Sequence, residues 1–325
     1  MTHAVILGAR GYLGRELVRL LDEHPHVDEV TPVSSSANGA YGDAVPTFAH
    51  TDLRFHPLDE AASMQPNLVF DASGTVGQDL EAMPEGLADA VHIDLSRQHR
   101  LTALQDDGWH YGLADALPTP RGQRRIANPG CYPTATLLAA WPLLATELVA
   151  PGPLIVDGKS GVSGAGAQPR SDLHFPEMNE SVRAYNVLGH DHQGEIEAAI
   201  AQVDHAPARP VRFTPHLVPQ TRGLLATVYI PVTGAATAEN VRRCYEEAYA
   251  EAPFVHLVDE ADTGNVRGSN HAHVAVDLDE DTRLVVARCA IDNLVKGGAG
   301  TAVQNANDAM GWPTDAGLDR APGGL

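Results

Sequence analysis

Apolar positions in the first half of the chain fall into short runs separated by stretches of helical spacing. His3 to Leu7 reads as a strand, and Glu16 to Leu21 carries apolar residues at helical intervals. Val27 to Val33 is a second strand, and Asn67 to Phe70 and Val91 to Leu95 are further strands, apolar enough to be covered on both faces, as in a parallel sheet. From Thr102 to Arg125 the pattern is irregular; the continuous apolar run from Ala135 to Val149 then predicts a helix. Pro151-Gly-Pro153 ends that run and marks a domain boundary. Beyond it, Leu154 to Val156 is a strand. Val211 to Phe213, Leu224 to Pro231, His273 to Leu278 and Arg283 to Cys289 suggest an antiparallel sheet, with a helix at Glu239 to Tyr249 among them. Helices are also expected after Gly189 through Ile200 and from Thr301 to Met310, and the tail beyond Trp312 is expected to be loose. The pattern predicts an α/β unit followed by an α+β unit.

Strand, glycine turn, helix is the order that a dinucleotide site requires. In the turn Gly8-Ala-Arg10-Gly11-Tyr12-Leu13-Gly14 the glycines permit a tight bend and close approach of a pyrophosphate, which would rest on the N-terminus of the helix. A plain βα turn is the alternative. The second strand ends in Ser34-Ser35-Ser36 and not in the acidic residue that would bond a ribose 2′-hydroxyl. With Arg10 as a source of charge, those hydroxyls favour NADP over NAD, unless Arg10 is merely a solvated turn residue. Asp71-Ala-Ser-Gly74 and Ser96 lie at strand ends, where they either border the cofactor or form ordinary turns.

Cys131 stands at the centre of Asn128-Pro-Gly-Cys-Tyr-Pro-Thr134, where a loop becomes the apolar helix. Pro133 suits a first helical turn, because proline has no N–H to lose there. A thiol at a helix N-terminus is shifted toward the nucleophilic thiolate, and the same N–H groups can hold an oxyanion. Otherwise Cys131 is a small buried apolar residue. Lys159-Ser160-Gly-Val-Ser163-Gly164-Ala-Gly166 follows a strand and reads as an anion-binding loop or a flexible surface loop. His190 and His192 are two residues apart and share one side if the backbone is extended. No third and fourth ligand accompany them, so no metal is expected. Arg222 stands at the entrance to a strand, and Lys296-Gly-Gly-Ala-Gly300 opens the last helix.

The chain has 325 residues, enough for two domains with their own cores, and a hydrophobic fraction of 43%, normal for a folded protein. A net charge of −20 disfavours nucleic acid or an anionic membrane as partner, since both need clustered positive charge. No apolar run approaches the roughly 18–20 residues of a membrane span, and His3 to Leu7 is too short for a signal-peptide core, so the chain reads as cytoplasmic. Cys131, Cys244 and Cys289 are widely spaced and odd in number, which predicts reduced thiols. Of the 22 basic residues only Lys159 and Lys296 are lysines.

A dinucleotide turn, a thiolate candidate, a histidine pair and glycine-lysine loops together fit reduction of an activated acyl group through a thioester. These motifs resemble a known family. Asn-Pro-Gly-Cys-Tyr-Pro-Thr134, Ser-Gly-Val-Ser-Gly-Ala-Gly166, Gly-His-x-His-x-x-Glu195, Phe213-Thr-Pro-His-Leu-Val-Pro219 and Ile291-Asp-Asn-Leu-Val-Lys-Gly297 look like N-acetyl-gamma-glutamyl-phosphate reductase of arginine biosynthesis, in collinear order from Gly8 to about Asn305. The resemblance implies a Rossmann-type dinucleotide-binding domain, residues 1–150 with about 296–325 returning to it, and an α+β catalytic and oligomerisation domain, 151–295, like glyceraldehyde-phosphate dehydrogenase. It implies NADP(H), an acyl-phosphate substrate reduced to a semialdehyde with release of phosphate, and a homodimer or homotetramer. By that resemblance Cys131 is the nucleophile and His192 the acid/base, with His190 and Glu195 beside them. Asn128, Ser160, Lys159 and Arg222 would bind substrate, and Ser163, Gly164, Asn293 and Lys296 would join the cofactor site.

The chain departs from the family pattern at several positions. Asp191 replaces the usual arginine between the histidines, and Gln193-Gly194 the usual Thr-Pro; an acid there would tend to retain a proton on the histidines and repel an anion. The basic residues usual after the second strand are missing, and Asp71-Ala-Ser-Gly74 replaces Leu-Pro-His-Gly. Met310-Gly-Trp-Pro313 resembles a related branch that reduces aminoadipyl or glutamyl phosphate on an acidic amino-group carrier protein, although a −20 chain should repel such a carrier. Aspartate-semialdehyde dehydrogenase fits the motifs less well. A nucleotide-binding protein without turnover is the non-enzyme alternative, and the retained cysteine-histidine set speaks against it.

Overall fold

The computed structural model describes residues 1–74, 84–105, 108–203 and 209–323. Two compact units emerge, one of Met1–Ala114, Pro118–Pro129 and Gly298–Asp319, the other of Asp115–Leu117, Gly130–Gly297 and Arg320–Leu325.

The first unit is built on a six-stranded parallel sheet of β1 (His3–Leu7), β2 (Glu29–Val33), β3 (Leu68–Asp71), β4 (Val91–Asp94), β5 (His110–Tyr111) and β6 (Arg125–Ala127), in the order β2-β1-β3-β4-β6-β5. The order reverses at β1, whose neighbours β2 and β3 lie on opposite sides. A crevice therefore opens at the carboxyl ends of β1 and β3, the usual place for a ligand in such sheets. The glycine turn sits there, between β1 and the helix Tyr12–Leu21. Gly8 has φ +75°, and a Cβ on it would lie 2.7 Å from the Ser73 backbone after β3, so only glycine lets the two strand ends approach.

The last helix, Gly300–Met310, packs on Tyr12–Leu21 in this unit. The tail expected to be loose is anchored as far as Leu318: the Asn307 amide donates to the Thr314 and Ala316 carbonyls, Trp312 stacks on His26, and Leu318 is buried. No local pattern marks these anchors, because they come from Asn307 in the helix and His26 near the other end of the chain.

The second unit holds a seven-stranded sheet of β7 (Leu154–Ser160), β8 (Arg183–Ala184), β9 (Val211–Leu217), β10 (Leu224–Pro231), β11 (Val255–Leu257), β12 (Ala272–Asp279) and β13 (Leu284–Ile291), in the order β8-β9-β7-β10-β13-β12-β11. It is mixed and not the expected antiparallel sheet, because β7 pairs parallel with β9 and β11 with β12. The β7–β9 connection contains the helix Asp191–Val203, and a crossover through a helix returns the chain in parallel.

The helix Cys131–Leu144 lies on β10 and β13 of this sheet, which is why the contacts divide the chain at Pro129–Gly130 and not at the proline-glycine run. From Tyr132 to Leu144 only Trp141 escapes full burial, as expected of a helix without a polar face. Pro142 stands inside it and has no N–H for the Leu138 carbonyl one turn earlier. The Tyr249 hydroxyl bonds that carbonyl instead, and the Tyr245 hydroxyl bonds Ala139. The opposite sheet face is more open: Ile155 is 47% exposed.

Candidate active site

Cys131 is the first residue of its helix, and Gly130, extended at φ −71° and ψ 159°, is the N-cap. A glycine cap brings no side chain to the first-turn N–H groups, so the positive end of the helix stays at the thiol. Cys131 is half-buried and in no disulfide. Two neighbours define its backbone. Glu195, 3% exposed, accepts the Gly130 N–H at 2.9 Å, and Gly297 lies so near that a Cβ on it would come within 2.8 Å of Cys131 Cβ.

Cys131, Tyr132, Ser160, Tyr185, His190 and His192 line one cavity of about 510 Å³. The histidines arrive by a helix start and not by the extended His-x-His geometry, since His190 immediately precedes the helix Asp191–Val203. Their rings still approach to 4.7 Å, because both pack edge-on against Tyr132 at 6.0 and 5.9 Å. The His192 N–H donates to His190 Nδ1 at 3.1 Å, which makes that nitrogen an acceptor and leaves any ring proton on Nε2. Burial lowers the His190 pKa below the ordinary imidazole value, against the opposing pull of Asp191 and Glu195. The proton-retaining effect expected of Asp191 is thus outweighed at His190 by desolvation. Among the described residues, no three His, Cys, Asp or Glu side chains come together as a metal site.

Other expected site residues have different occupations. Ser160 faces the cavity, but β7 runs on through it, so its neighbour Lys159 points to the other sheet face, with Nζ 3.3 Å from the Asp157 carbonyl. The sequence had begun a loop at Lys159, and strand alternation removes it from the substrate cavity. Asn128 is fully buried: its amide bonds the Pro129 and Gly298 carbonyls and accepts from Asn305, which ties the segment before the cysteine to the last helix. Arg222 makes a two-pronged pair with buried Asp292, at 2.9 and 3.0 Å, and does not line the cavity. Lys296 is buried against Asp115 at 2.5 Å, so its ammonium is enclosed and not offered to a cofactor phosphate. Asn293, also buried, holds Ser163 Oγ at 2.9 Å and the Gly223 N–H at 2.8 Å, and so fastens two loops instead of reaching a ligand. Gly164 lines the cavity beside Ser160.

At the glycine turn, Gly11 is the N-cap of Tyr12–Leu21, and the Tyr12, Leu13 and Gly14 N–H groups form the first turn, where an anion is favoured. A Cβ on Gly14 would lie 2.4 Å from the Gly8 carbonyl, which explains this glycine by close packing. Arg10 Nη1 donates to Ser36 Oγ at 3.4 Å, and Ser34 Oγ lies 3.4 Å from Ser36 Oγ. Ser35 is exposed beside them. The charge and hydroxyls expected for a 2′-phosphate are thus adjacent, while Ser96 Oγ is turned back on Asp94 at 2.9 Å. Sequence reasoning missed Tyr185, Arg170, Asp172 and Arg183 at the cavity, and the close approach of Gly297 to Cys131. Tyr132 and Gly297 were within quoted motifs, whereas the other four lie on a segment without periodicity.

A parallel dinucleotide-type sheet and a cysteine-bearing α+β unit in one chain are what a semialdehyde dehydrogenase carries. Residues 3–149 match the semialdehyde dehydrogenase NAD binding domain and residues 131–293 its dimerisation domain, and the chain belongs to this family. Its relatives named N-acetyl-gamma-glutamyl-phosphate reductase include those of Bradyrhizobium sp. (strain ORS 278), 39% identical over 98% of this chain and 97% of the relative, and Bacillus subtilis (strain 168), 38% identical over 98% of both. Aspartate semialdehyde dehydrogenase II from Vibrio cholerae, a crystal structure in complex with ASA, shares the fold with a TM-score of 0.72 at 18% identity, over 94% of this chain and 97% of that one. No helix among the described residues is long and apolar enough to cross a membrane.

Proposed function

We propose that the chain is an NADPH-dependent reductase that converts N-acetyl-gamma-glutamyl phosphate to N-acetylglutamate semialdehyde and phosphate. The observation that carries this reading is the placement of Cys131 at a helix N-terminus in one cavity with His190 and His192; the names of the relatives supply the substrate. Cys131 Sγ attacks the acyl carbon, the carbon–oxygen bond to phosphate breaks, and a thioester forms. First-turn N–H groups of the cysteine helix stabilise the oxyanion. NADPH, when bound, supplies the hydride that reduces the thioester. His192 gives a proton to the thiohemiacetal oxygen and takes it back as the carbon–sulfur bond breaks to release aldehyde and thiolate. Arg10, Ser34 and Ser36 would hold the 2′-phosphate and the Gly8–Gly14 turn the pyrophosphate. The open sheet face around Ile155 is suited to a second copy of the chain, as a homodimer of a cytoplasmic enzyme.

The test is the phosphate-dependent reverse assay, following NADPH formation with N-acetylglutamate semialdehyde and, in parallel, with a carrier-bound aminoadipate aldehyde. Turnover of the acetylated aldehyde alone is expected. Turnover of the carrier-bound aldehyde alone would move the chain to the carrier-dependent branch.

A further inference from the structure

Two arginines converge on one carboxylate at the Cys131 cavity. Asp172 accepts from Arg170 Nε at 3.0 Å and Nη2 at 2.7 Å, and from Arg183 Nη2 at 3.3 Å; its backbone carbonyl takes the same Arg183 nitrogen at 2.7 Å. All three line the cavity, with side chains 55%, 44% and 35% exposed for Arg170, Asp172 and Arg183, whereas Ser160 beside Cys131 is 2% exposed. The cluster therefore forms the mouth of the cavity. Two guanidinium groups against one carboxylate leave a net charge of +1. Each guanidinium has five N–H donors, and among the described residues neither has a partner outside the cluster. Arg222 and Lys296, which the sequence offered as anion binders, are each matched one-to-one by a buried carboxylate and so leave no net charge, and Lys159 faces away.

We propose that Arg170 and Arg183 determine substrate specificity by binding a carboxylate of the acyl substrate remote from its reacting carbonyl, with Asp172 as the positioning residue that holds the two guanidinium groups together. This rests on the acyl-phosphate reading above. The phosphate is bonded to the carbon that Cys131 attacks, so it must enter to the half-buried thiol. A second anionic group at the far end of the same molecule reaches the exposed mouth. The guanidinium N–H donors that Asp172 leaves over, Nη1 of both arginines among them, suit a carboxylate, and the net +1 draws an anion to a chain whose overall charge is −20.

The oxidative direction separates the two anions, because the aldehyde carries the carboxylate while phosphate is a separate substrate. Arg170→Gln and Arg183→Gln should each raise KM for N-acetylglutamate semialdehyde about tenfold, and KM for phosphate should not change. The wild type should prefer this aldehyde to 4-acetamidobutanal, which lacks the carboxylate, and the double variant should lose that preference. A rise in the phosphate KM with the aldehyde KM unchanged would assign the cluster to phosphate and overturn the proposal, as would an equal loss with both aldehydes. N-acetylglutamate should also protect Cys131 of the wild type from iodoacetamide, and should not protect the double variant. Failure of protection in the wild type counts against the cluster; protection without turnover of the acetylated aldehyde counts against the proposed reaction alone.

Discussion

The Glu195 carboxylate accepts the N–H of Gly130 at 2.9 Å, one residue before the candidate nucleophile Cys131. Gly130 is the helix cap, so this bond sets the direction in which the cysteine enters the helix. Glu195 is 3% exposed, and without it the N–H would be left unpaired. Glu195→Ala should lower kcat roughly 10- to 100-fold with a smaller change in KM, matching the ~1.5–3 kcal/mol of a buried hydrogen bond to a charged group. Glu195→Gln keeps an oxygen acceptor and should recover much of the rate. Steady-state kinetics of both variants check this, and equal rates for Ala and wild type would deny the positioning role.

Arg10 and Ser36 meet at the end of the second strand. If they hold the 2′-phosphate, Arg10→Ala should raise KM for NADPH by about tenfold, the loss of one charge-assisted contact, and leave KM for NADH nearly unchanged. Parallel titrations with the two cofactors read the difference directly.

His92 Nε2 donates to the Leu87 carbonyl at 2.7 Å, and burial lowers its pKa to about 4. In the unfolded chain it would titrate near the ordinary value of about 6.5. Between these values the unfolded chain binds more protons, so stability rises with pH across that window. It is fully present above about pH 6.5 and falls by about 3 kcal/mol as the pH drops to about 4. Thermal melts of His92→Gln should show a shallower pH slope in this window. Buried His3 and His24, also shifted down, will keep the slope from vanishing.

Tyr249 repairs the gap that Pro142 leaves in the cysteine helix. Tyr249→Phe should destabilise the fold by about 1–2 kcal/mol, because the Leu138 carbonyl would be buried without a donor. A denaturant midpoint lowered at constant m-value is the expected reading.

The parallel sheet and its glycine turn were legible because apolar runs and glycines are local signals, and the resemblance supplied the cysteine and histidine roles. The pairing of β7 with β9 was hidden, since parallel pairing depends on what lies between two strands. Lys159 was misplaced by a strand four residues longer than its apolar run, and strand parity then put it on the far face. The acids that engage Arg222 and Lys296 lie 70 and 181 residues away in the chain, beyond the reach of any local pattern. Arg170, Asp172 and Arg183 escaped notice for a different reason: they lie within 13 residues of one another, but on an irregular segment without periodicity to show which side chains converge.

In the proposed mechanism Cys131 carries the acyl group between phosphate and hydride. Intact-protein mass spectrometry after mixing the enzyme with N-acetyl-gamma-glutamyl phosphate, without NADPH, tests it most directly. The expected result is one acyl adduct per chain, mapped to Cys131, discharged on adding NADPH, and absent from Cys131→Ala. Phosphate release by a Cys131→Ala variant at the wild-type rate, or an acyl adduct on another residue, would contradict it.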